Sequence, residues 1–198
     1  MSQSATRLPA PRRRRQLLDI ALGLFATGGF HATSMNDIAE AAGVTKPILY
    51  QHFDSKRELY RELVTDVGTQ LEREIVAATS AEPNGRQQVE AGCRAYFEFV
   101  ADHEHAFQVL IGGATRRDEE FAAEAEKVEA SLAGMIGALI TIEGLDVEHR
   151  RLLGRGIVGL AEGASRHWLA SGRRPDAETL AAQVAELAWA GLRGIDGG

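Results

Sequence analysis

The helical spacing of apolar residues is the feature that most constrains the fold of this chain. From Leu18 onward, apolar side chains recur every three or four residues, as in Leu18, Ala21, Leu22 and Phe25. This spacing places them on one face of an α-helix. No segment shows the period-two alternation of an exposed β-strand. The sequence therefore predicts an all-α protein.

Glycines and capping residues divide this pattern into separate helices. The Gly28-Gly29 pair ends the first helix. Ser34 begins the second, with Asp37 placed three residues later as in a capping box. Gly43 then lies where a left-handed C-cap is expected. The first two helices are thus predicted from local signals alone.

The next two helices carry equally clear start signals. Thr45 begins a short third helix with Pro47 in its first turn, where the missing N–H is not needed. Ser55 begins a long fourth helix that runs to about Thr79, with Glu58 in the position that completes a second capping box. Two short helices therefore meet across a tight turn ahead of one long helix.

The rest of the chain predicts five more helices, which makes nine in all. Pro83 interrupts the chain before the fifth helix, the Gly112-Gly113 pair ends the sixth, and Asp146 is the expected N-cap of the eighth. The last three helices are predicted at about Asp118 to Ile142, Glu148 to Ser171 and Ala177 to Arg193.

The charge distribution separates a basic head from an acidic body. The 198 residues carry a net charge of −6, but residues 1–57 hold eight Lys or Arg and four Asp or Glu, so the head is +4 and the remainder is −10. Such a head suits phosphate binding. We divide the chain into a disordered basic arm (1–11), a basic head (12–57) and an acidic body (58–198). The run Arg12 to Arg15 is equally compatible with a solvated charged segment.

Several other classes of protein are disfavoured. Uncharged stretches such as Leu132 to Glu143 fall short of the roughly 20 apolar residues that span a bilayer, and the N-terminus lacks a signal peptide, so we expect a soluble cytoplasmic protein. The single Cys93 is expected to be a buried thiol. Asp102 to His105 is the densest group of possible metal ligands, but neighbours diverge around a helix, so we predict no metal and no cofactor. Nucleophile-elbow, P-loop and zinc-protease motifs are absent.

The segment from Thr33 to Lys56 is predicted to be a helix-turn-helix. Leu49 and Phe53 are four residues apart and face the core, which leaves the opposite side of the third helix free to enter a major groove. Lys46 suits a guanine or a phosphate, Gln51 suits an adenine, and Pro47 or Tyr50 suits a thymine methyl. The predicted DNA-binding residues are Thr33, Thr45, Lys46, Pro47, Tyr50, Gln51, His52 and Lys56, with Thr33, Thr45, His52 and Lys56 assigned to phosphates. Two packed helices without DNA contact are the alternative.

The wording of this segment resembles the DNA-binding domain of the tetracycline-repressor (TetR) family. The resemblance rests on Asp-Ile-Ala, Gly-Val-Thr-Lys, Leu-Tyr-Gln-His-Phe and Ser-Lys between residues 37 and 56, and covers Leu17 to Tyr60. It implies a nine-helix fold, a three-helix DNA-binding head, a ligand pocket in the body and a homodimer built from the last two helices. Pro47 replaces the glycine or alanine of many members, which leaves the base preference there open. The Lys-Pro-Ile-Leu-Tyr-Gln-His-Phe wording of residues 46–53, with the paired Trp168 and Trp189, is similar to actinobacterial members that sense long-chain acyl-CoA and control lipid synthesis.

Two groups of residues in the body are candidates for the ligand pocket and the dimer interface. Apolar side chains of the middle helices could line a cavity or simply fill the core; they are Phe97, Phe107, Leu110, Phe121, Met135, Leu139 and Trp168. Small residues of the eighth helix would let another helix approach closely. The predicted dimer residues are Gly156, Leu160, Gly163, Leu180, Val184, Leu187 and Gly191.

These observations predict a homodimeric transcriptional repressor that an apolar small molecule releases from a palindromic DNA operator. Two alternatives remain open at this point. The ligand could instead tighten DNA binding, as a co-repressor or an activator would require. The chain could also be a helical enzyme or carrier without DNA binding, although Lys46, Tyr50 and Lys56 would then have no purpose.

Overall fold

The computed structural model describes residues 9–195, with residues 113 and 114 described only as backbone, and this part of the chain contains helices and no strand. The all-α prediction is confirmed. Nine of the ten helices are the predicted ones, and α7 is an additional five-residue turn. The helices are α1 (Ala10–Ala32), α2 (Met35–Ala41), α3 (Lys46–Tyr50), α4 (Lys56–Thr79), α5 (Gly85–Asp102), α6 (Glu104–Ile111), α7 (Gly113–Arg117), α8 (Glu119–Leu139), α9 (Val147–Ala170) and α10 (Ala177–Arg193).

The predicted capping residues begin their helices as expected. Ser34 Oγ accepts from Asp37 N at 3.2 Å, and Ser34 N donates to Asp37 Oδ2 at 2.8 Å, which completes the capping box. These hydrogen bonds lower the pKa of Asp37. Ser55 Oγ accepts from Glu58 N at 3.1 Å. The Glu58 carboxylate, however, accepts from Asp54 N rather than from Ser55 N, so this second box is shifted by one residue.

Two predicted boundaries need correction. Helix α1 already begins at Ala10, because Pro9 at the N-cap and Pro11 in the first turn fit a helix start, so the predicted arm loses its last two residues. Residues 1–8 of that arm lie outside the described part of the chain. Helix α8 ends at Leu139 rather than at residue 142, since three β-branched residues follow and Ile140 is extended.

The long helix α4 joins the head to the body. Helix α1 packs against both α2 and α4, and α3 packs against α2, whereas α4 also lies against α5 and α8 of the body. The boundary predicted between residues 57 and 58 falls in the first turn of α4, so both predicted domains share this helix. A displacement of α4 in the body would therefore be transmitted to the head.

Two pairs of helices complete the body, α8 with α9 and α5 with α10. Glycines allow the closest crossings. A Cβ on Gly154 would lie 2.2 Å from the Ala133 carbonyl oxygen, and a Cβ on Gly68 would lie 2.4 Å from a Val128 methyl group. Part of the small-residue run of the predicted eighth helix thus serves packing within one chain.

Candidate nucleic-acid interface and ligand cavity

The helix-turn-helix consists of α2, a tight turn and α3. Gly43 in the turn has φ of +63°, a left-handed conformation that glycine adopts without strain. Ile38 of α2, Leu49 of α3 and Phe53 behind α3 are almost fully buried against the rest of the head. This packing fixes the orientation of α3 and confirms the core positions predicted for Leu49 and Phe53.

The opposite side of α3 is exposed, and its side chains have no polar partner among the described residues. Thr45, Lys46, Pro47, Tyr50 and Gln51 are all exposed, and 45% of the Tyr50 surface remains accessible. Among residues 9–195, none of these five side chains forms a hydrogen bond or ion pair. An exposed tyrosine beside a lysine, on a helix held rigidly from behind, is suited to recognition of another molecule.

Two of the predicted phosphate contacts are already engaged within the head. Lys56 Nζ donates to the carbonyl oxygens of Phe30 and Thr33 at 2.7 and 2.8 Å, and it lies 4.3 Å from the centre of the Phe30 ring. Partial burial lowers the pKa of Lys56. Thr33 is buried and its hydroxyl donates to Gly29 O at 2.9 Å. The structure thus gives Lys56 and Thr33 a structural role at the α1–α2 junction, because carbonyl groups at a helix end need donors.

The basic run at the start of α1 is also partly used for packing. Arg14 pairs with Glu62, donates to His52 O at 2.7 Å and stacks over the Phe53 ring. Arg15 pairs with Asp66 at 2.6 Å. These contacts attach α1 to α4. The His52 side chain is half-buried, and it remains a candidate phosphate contact.

Ion pairs and aromatic rings connect the head with the body. Arg57 of α4 binds both carboxylate oxygens of Asp118 at 2.8 Å and also pairs with Glu120. The Tyr60 hydroxyl lies 3.0 Å from the Thr115 hydroxyl of α7. Burial raises the pKa of Tyr60. Thr115 belongs to α7, Asp118 is the N-cap of α8 and Glu120 lies in its first turn, so the position of this segment and the start of α4 are coupled.

A cavity of about 370 Å³ lies in the body between α4, α5, α8, α9 and α10. The lining residues in the middle of α5, α8 and α9 are mostly buried, and we call this part its buried end. Those at the start of α5 and the end of α10 are half-buried or exposed, and we call this part its accessible end. Apolar side chains dominate the wall, and Arg193 near the accessible end is the only charged residue among them. The lining includes Ile75, Thr79, Cys93, Tyr96, Leu132, Ile136, Leu139, Val158, Ala161, Trp189, Leu192 and Arg193.

The cavity lining differs from the predicted set of pocket residues. Leu139 lines it, whereas Phe97, Phe107 and Leu110 are buried in the core and Met135 packs against that core. Phe121 belongs to an aromatic cluster with Phe30 and Tyr60 at the junction of head and body. The Trp168 indole, near the end of α9, donates to Pro175 O at 2.6 Å and stacks under the Arg173 guanidinium. Pro175 and Arg173 both belong to the link between α9 and α10. Helical spacing identified buried residues but could not distinguish a cavity wall from filled core.

Tyr96 and Cys93 line the cavity but were not predicted to do so, although Cys93 was expected to be buried. Ile136, one position after the predicted Met135, also lines the cavity. The sequence pattern did not show this, because it does not tell which helix packs against each residue of α8. Burial raises the pKa of the Cys93 thiol to about 11. Cys93 is therefore a buried, neutral thiol that packs in the cavity wall.

The outer sides of α9 and α10 carry most of the predicted dimer residues. Gly156, Gly163, Leu187 and Gly191 are exposed, and a Cβ on any of the three glycines would meet no atom within 4 Å. Leu160 and Leu180 are half-buried. Val184 is the exception, because it is buried within the chain. The other six predicted residues are exposed or half-buried, and all of them are small or apolar.

Comparison with known proteins identifies the family. Residues 17–63 match the model of the "Bacterial regulatory proteins, tetR family", and residues 86–191 match the "Tetracyclin repressor-like, C-terminal domain". The chain belongs to the TetR family of bacterial transcriptional regulators. It is thus a regulator with a helix-turn-helix, not an enzyme.

Relatives with known names are transcriptional regulators. The chain is 30% identical to the transcriptional activator FasR of Mycolicibacterium smegmatis over 192 residues, which cover 96% of this chain and 88% of FasR. It is 48% identical to the transcriptional repressor KstR2 of Rhodococcus jostii, but over only 69 residues, or 33% of this chain and 34% of KstR2.

Solved structures show the same fold along nearly the whole chain. A TetR-like regulator from Rhodococcus sp. RHA1 superposes with a TM-score of 0.77 at 27% identity, covering 96% of this chain and all of that one. FadR of Bacillus subtilis, solved with stearoyl-CoA, gives a TM-score of 0.77 at 21% identity, covering 91% of this chain and 98% of FadR. Within residues 9–195, every helix is too short or too polar to serve as a transmembrane span.

Proposed function

We propose that this regulator is a homodimeric repressor that an apolar small molecule releases from a palindromic operator. The observation that carries the proposal is the exposed and unpaired set of side chains on α3, held by a buried face on the other side. Because the proposed target is chromosomal DNA, the protein would act in the cytoplasm.

Each exposed side chain of α3 has a suitable partner in the major groove. Gln51 can form two hydrogen bonds with an adenine, and Lys46 can donate to guanine O6 and N7 or to a phosphate. Pro47 and Tyr50 offer apolar surface to a thymine methyl. Thr45 and His52, at the two ends of α3, are proposed to donate to phosphates of the DNA backbone.

The proposed effector binds in the apolar cavity. A volume of about 370 Å³ lies within the usual range for small-molecule sites, and the wall would bury an aliphatic chain with little polar cost. The fold neighbour FadR of Bacillus subtilis was solved with stearoyl-CoA, so this fold can accommodate an acyl chain. A long-chain acyl-CoA, with its anionic part near Arg193, is our preferred class of effector.

The proposed route from effector to DNA runs through α7. Arg116 of α7 pairs with Glu162 of α9, and the neighbouring Thr115 is hydrogen-bonded to Tyr60 of α4. Glu162 lies one residue after Ala161, which lines the cavity. A ligand that shifts α9 would therefore displace α7 and the start of α4. It releases DNA only to the extent that it prefers the conformation that DNA disfavours.

DNA titrations test the regulator directly. The dimer is expected to bind the region upstream of its own gene more tightly than random DNA, with a steep dependence on salt. Gln51→Ala should relax the preference at one base pair, whereas Lys46→Ala should weaken all sequences and lower the salt slope by about one. Equal affinity for operator and random DNA would contradict the proposal. Mass spectrometry of the molecules that copurify with the protein would identify the effector.

A second mode of action is favoured by one comparison. FasR matches along nearly the whole chain and is named as an activator, whereas the match to the repressor KstR2 of Rhodococcus jostii is confined to about a third of this chain. The ligand of this protein would then act as a co-repressor or in activation. Measuring operator affinity with and without the copurifying ligand separates the two modes, because the repressor model requires weaker binding with ligand.

A further inference from the structure

The buried end of the cavity is closed on four helices. The innermost residues that line it are Ile75 of α4, Tyr96 of α5, Leu132 of α8 and Ala161 of α9. One helical turn further, each of these helices carries a residue that is buried and does not line the cavity. These four residues are Leu71, Val100, Val128 and Ser165. The cavity therefore stops at a floor of packed side chains.

The floor is packed too closely for a ligand to pass it. At the crossing of α4 and α8, a Cβ on Gly68 would lie only 2.4 Å from a methyl group of Val128. The Tyr96 ring packs edge-to-face against the fully buried Phe107 of α6, with ring centres 6.4 Å apart. Closely packed side chains give way only at a cost in stability. The length of the cavity is thus fixed by the fold.

The length and the volume of the cavity give the same capacity. Along α5 the lining runs from Gly85 at the accessible end to Tyr96, eleven residues that span about 16 Å at about 1.5 Å per residue. An extended chain advances roughly 1.2 Å per bond, as the protein backbone does, so about thirteen carbons fit this length. The volume of about 370 Å³ holds about twelve carbons if roughly 30 Å³ is allowed for each. Because the two numbers agree, the cavity is about one carbon chain wide.

Arg193 determines the direction in which such a chain would lie. It is the only charged residue among those that line the cavity, and it is exposed at the accessible end. An anionic group would bind the Arg193 guanidinium, since burying a charge among the apolar residues of the other end has a high desolvation cost. The methyl end of the chain would then point toward Tyr96.

We propose that the effector is an anionic molecule with a single chain of about twelve carbons, and that Tyr96 and Ala161 limit the length of this chain. The inference rests on the proposed effector site and narrows its ligand class. Each methylene group should tighten binding about fourfold until the chain reaches Tyr96. A stearoyl chain, as in the ligand of the FadR structure, is longer than the cavity and should gain nothing from its extra carbons.

Acyl-CoA probes that differ only in chain length test the inference on the full-length protein. Calorimetric titration of the wild type should show dodecanoyl-CoA binding about 100-fold more tightly than octanoyl-CoA. Stearoyl-CoA should bind no more tightly than dodecanoyl-CoA. Dodecanoic acid, titrated in the same way, distinguishes a free carboxylate from a CoA thioester as the source of the anionic group.

Two substitutions should move the length limit in opposite directions. Tyr96→Ala removes the ring at the buried end, so stearoyl-CoA should become about tenfold tighter than dodecanoyl-CoA. Ala161→Leu fills the same end, so dodecanoyl-CoA should bind about tenfold more weakly while octanoyl-CoA is unaffected. Tyr96→Phe is the matched control, because it keeps the ring and removes only the hydroxyl. It should leave the order of the three probes unchanged.

The other outcomes decide against the inference. Affinity that keeps rising from dodecanoyl-CoA to stearoyl-CoA in the wild type would show that the floor is not a limit. A chain-length preference that survives both Tyr96→Ala and Ala161→Leu would place the limit elsewhere, and the absence of binding by every probe would also overturn the inference. Thermal unfolding checks that each variant is folded, and Ala161→Leu decides alone if Tyr96→Ala is not. Operator binding without ligand tests the regulator separately, because it depends on the α3 surface.

Discussion

At the scale of single residues, the same side-chain chemistry serves recognition or folding according to its surroundings. Lys46 and Lys56 lie ten residues apart, and both were predicted to contact DNA. Lys46 is exposed and without partners among the described residues, whereas Lys56 donates to Phe30 O and Thr33 O. Of these two lysines, Lys46 is therefore the one whose ammonium group is free to contact DNA without losing partners in the head.

Replacing Lys56 should therefore reduce stability. Lys56→Ala removes two charge-assisted hydrogen bonds and a cation–π contact, and we expect it to lower the free energy of unfolding by about 2 kcal/mol. Lys46→Ala, the matched control, should change stability by less than about 0.5 kcal/mol. Chemical denaturation followed by circular dichroism measures both. A stable Lys56→Ala protein with a reduced salt slope in DNA binding would restore Lys56 as a phosphate contact.

The single cysteine reports on the cavity wall. Burial raises the pKa of Cys93 from 9.0 to about 11, so at pH 8 the thiolate should be about 100-fold rarer than for an ordinary thiol. Iodoacetamide should therefore label the native protein at least 100-fold more slowly than the unfolded chain. Mass spectrometry at timed intervals measures this rate, and the unfolded protein in guanidinium is the control. Comparable rates would show that Cys93 is accessible and ionised.

At the scale of helices, the separation between neighbouring axes is determined by a few glycines. Gly137 of α8 and Gly154 of α9 occupy the crossing of these two helices, where an added Cβ would meet the backbone of the opposite helix. Backbone atoms cannot yield as a flexible side chain can. Gly134 lies on α8 with nothing within 4 Å of an added Cβ.

Alanine substitutions at Gly154 and Gly134 should thus have opposite effects. Gly154→Ala would force α8 and α9 apart and lower the free energy of unfolding by about 1–3 kcal/mol. Gly134→Ala should raise it by up to about 1 kcal/mol, because alanine favours the helix more than glycine does. Thermal unfolding compares the two variants with the wild type. Similar stability for both variants would show that α8 and α9 are not in close contact.

At the scale of the whole molecule, one side of the body lacks a partner within the chain. Leu187 of α10 is 61% exposed, and Gly191, which we also assign to the dimer interface, lies one turn further along α10 with no atom within 4 Å of an added Cβ. A face of this kind permits close packing of four helices around a two-fold axis. Dimerisation would set the spacing of the two α3 helices on DNA.

A charge on that face should dissociate the dimer. Leu187→Glu is expected to weaken association at least tenfold, since it buries a carboxylate in an apolar contact. Val76→Glu on α4 is the control, because Val76 is also exposed, at 47%, but is not among the predicted interface residues. Sedimentation equilibrium measures the association, and operator affinity should fall in parallel. An unchanged dimer in Leu187→Glu would place the interface elsewhere.

Local sequence signals were sufficient to predict the helices, their caps and the DNA-binding head. Ser34, Gly43, Thr45 and Ser55 act on atoms within four residues, so their effect is visible in the chain order. The exposed set on α3 follows from the same local geometry, because the burial of Leu49 and Phe53 leaves the opposite side free.

The packing of distant helices, by contrast, determines which buried residues surround a cavity and which lysine side chains have no hydrogen-bond partner within the described part of the chain. Phe121 and Leu139 have the same periodicity on α8, yet Phe121 fills the junction of head and body whereas Leu139 lines the cavity. Likewise, the partners of Lys56 lie 26 and 23 residues away. Periodicity shows which side of a helix is buried, but the neighbour on that side depends on how distant helices pack, which no local pattern encodes.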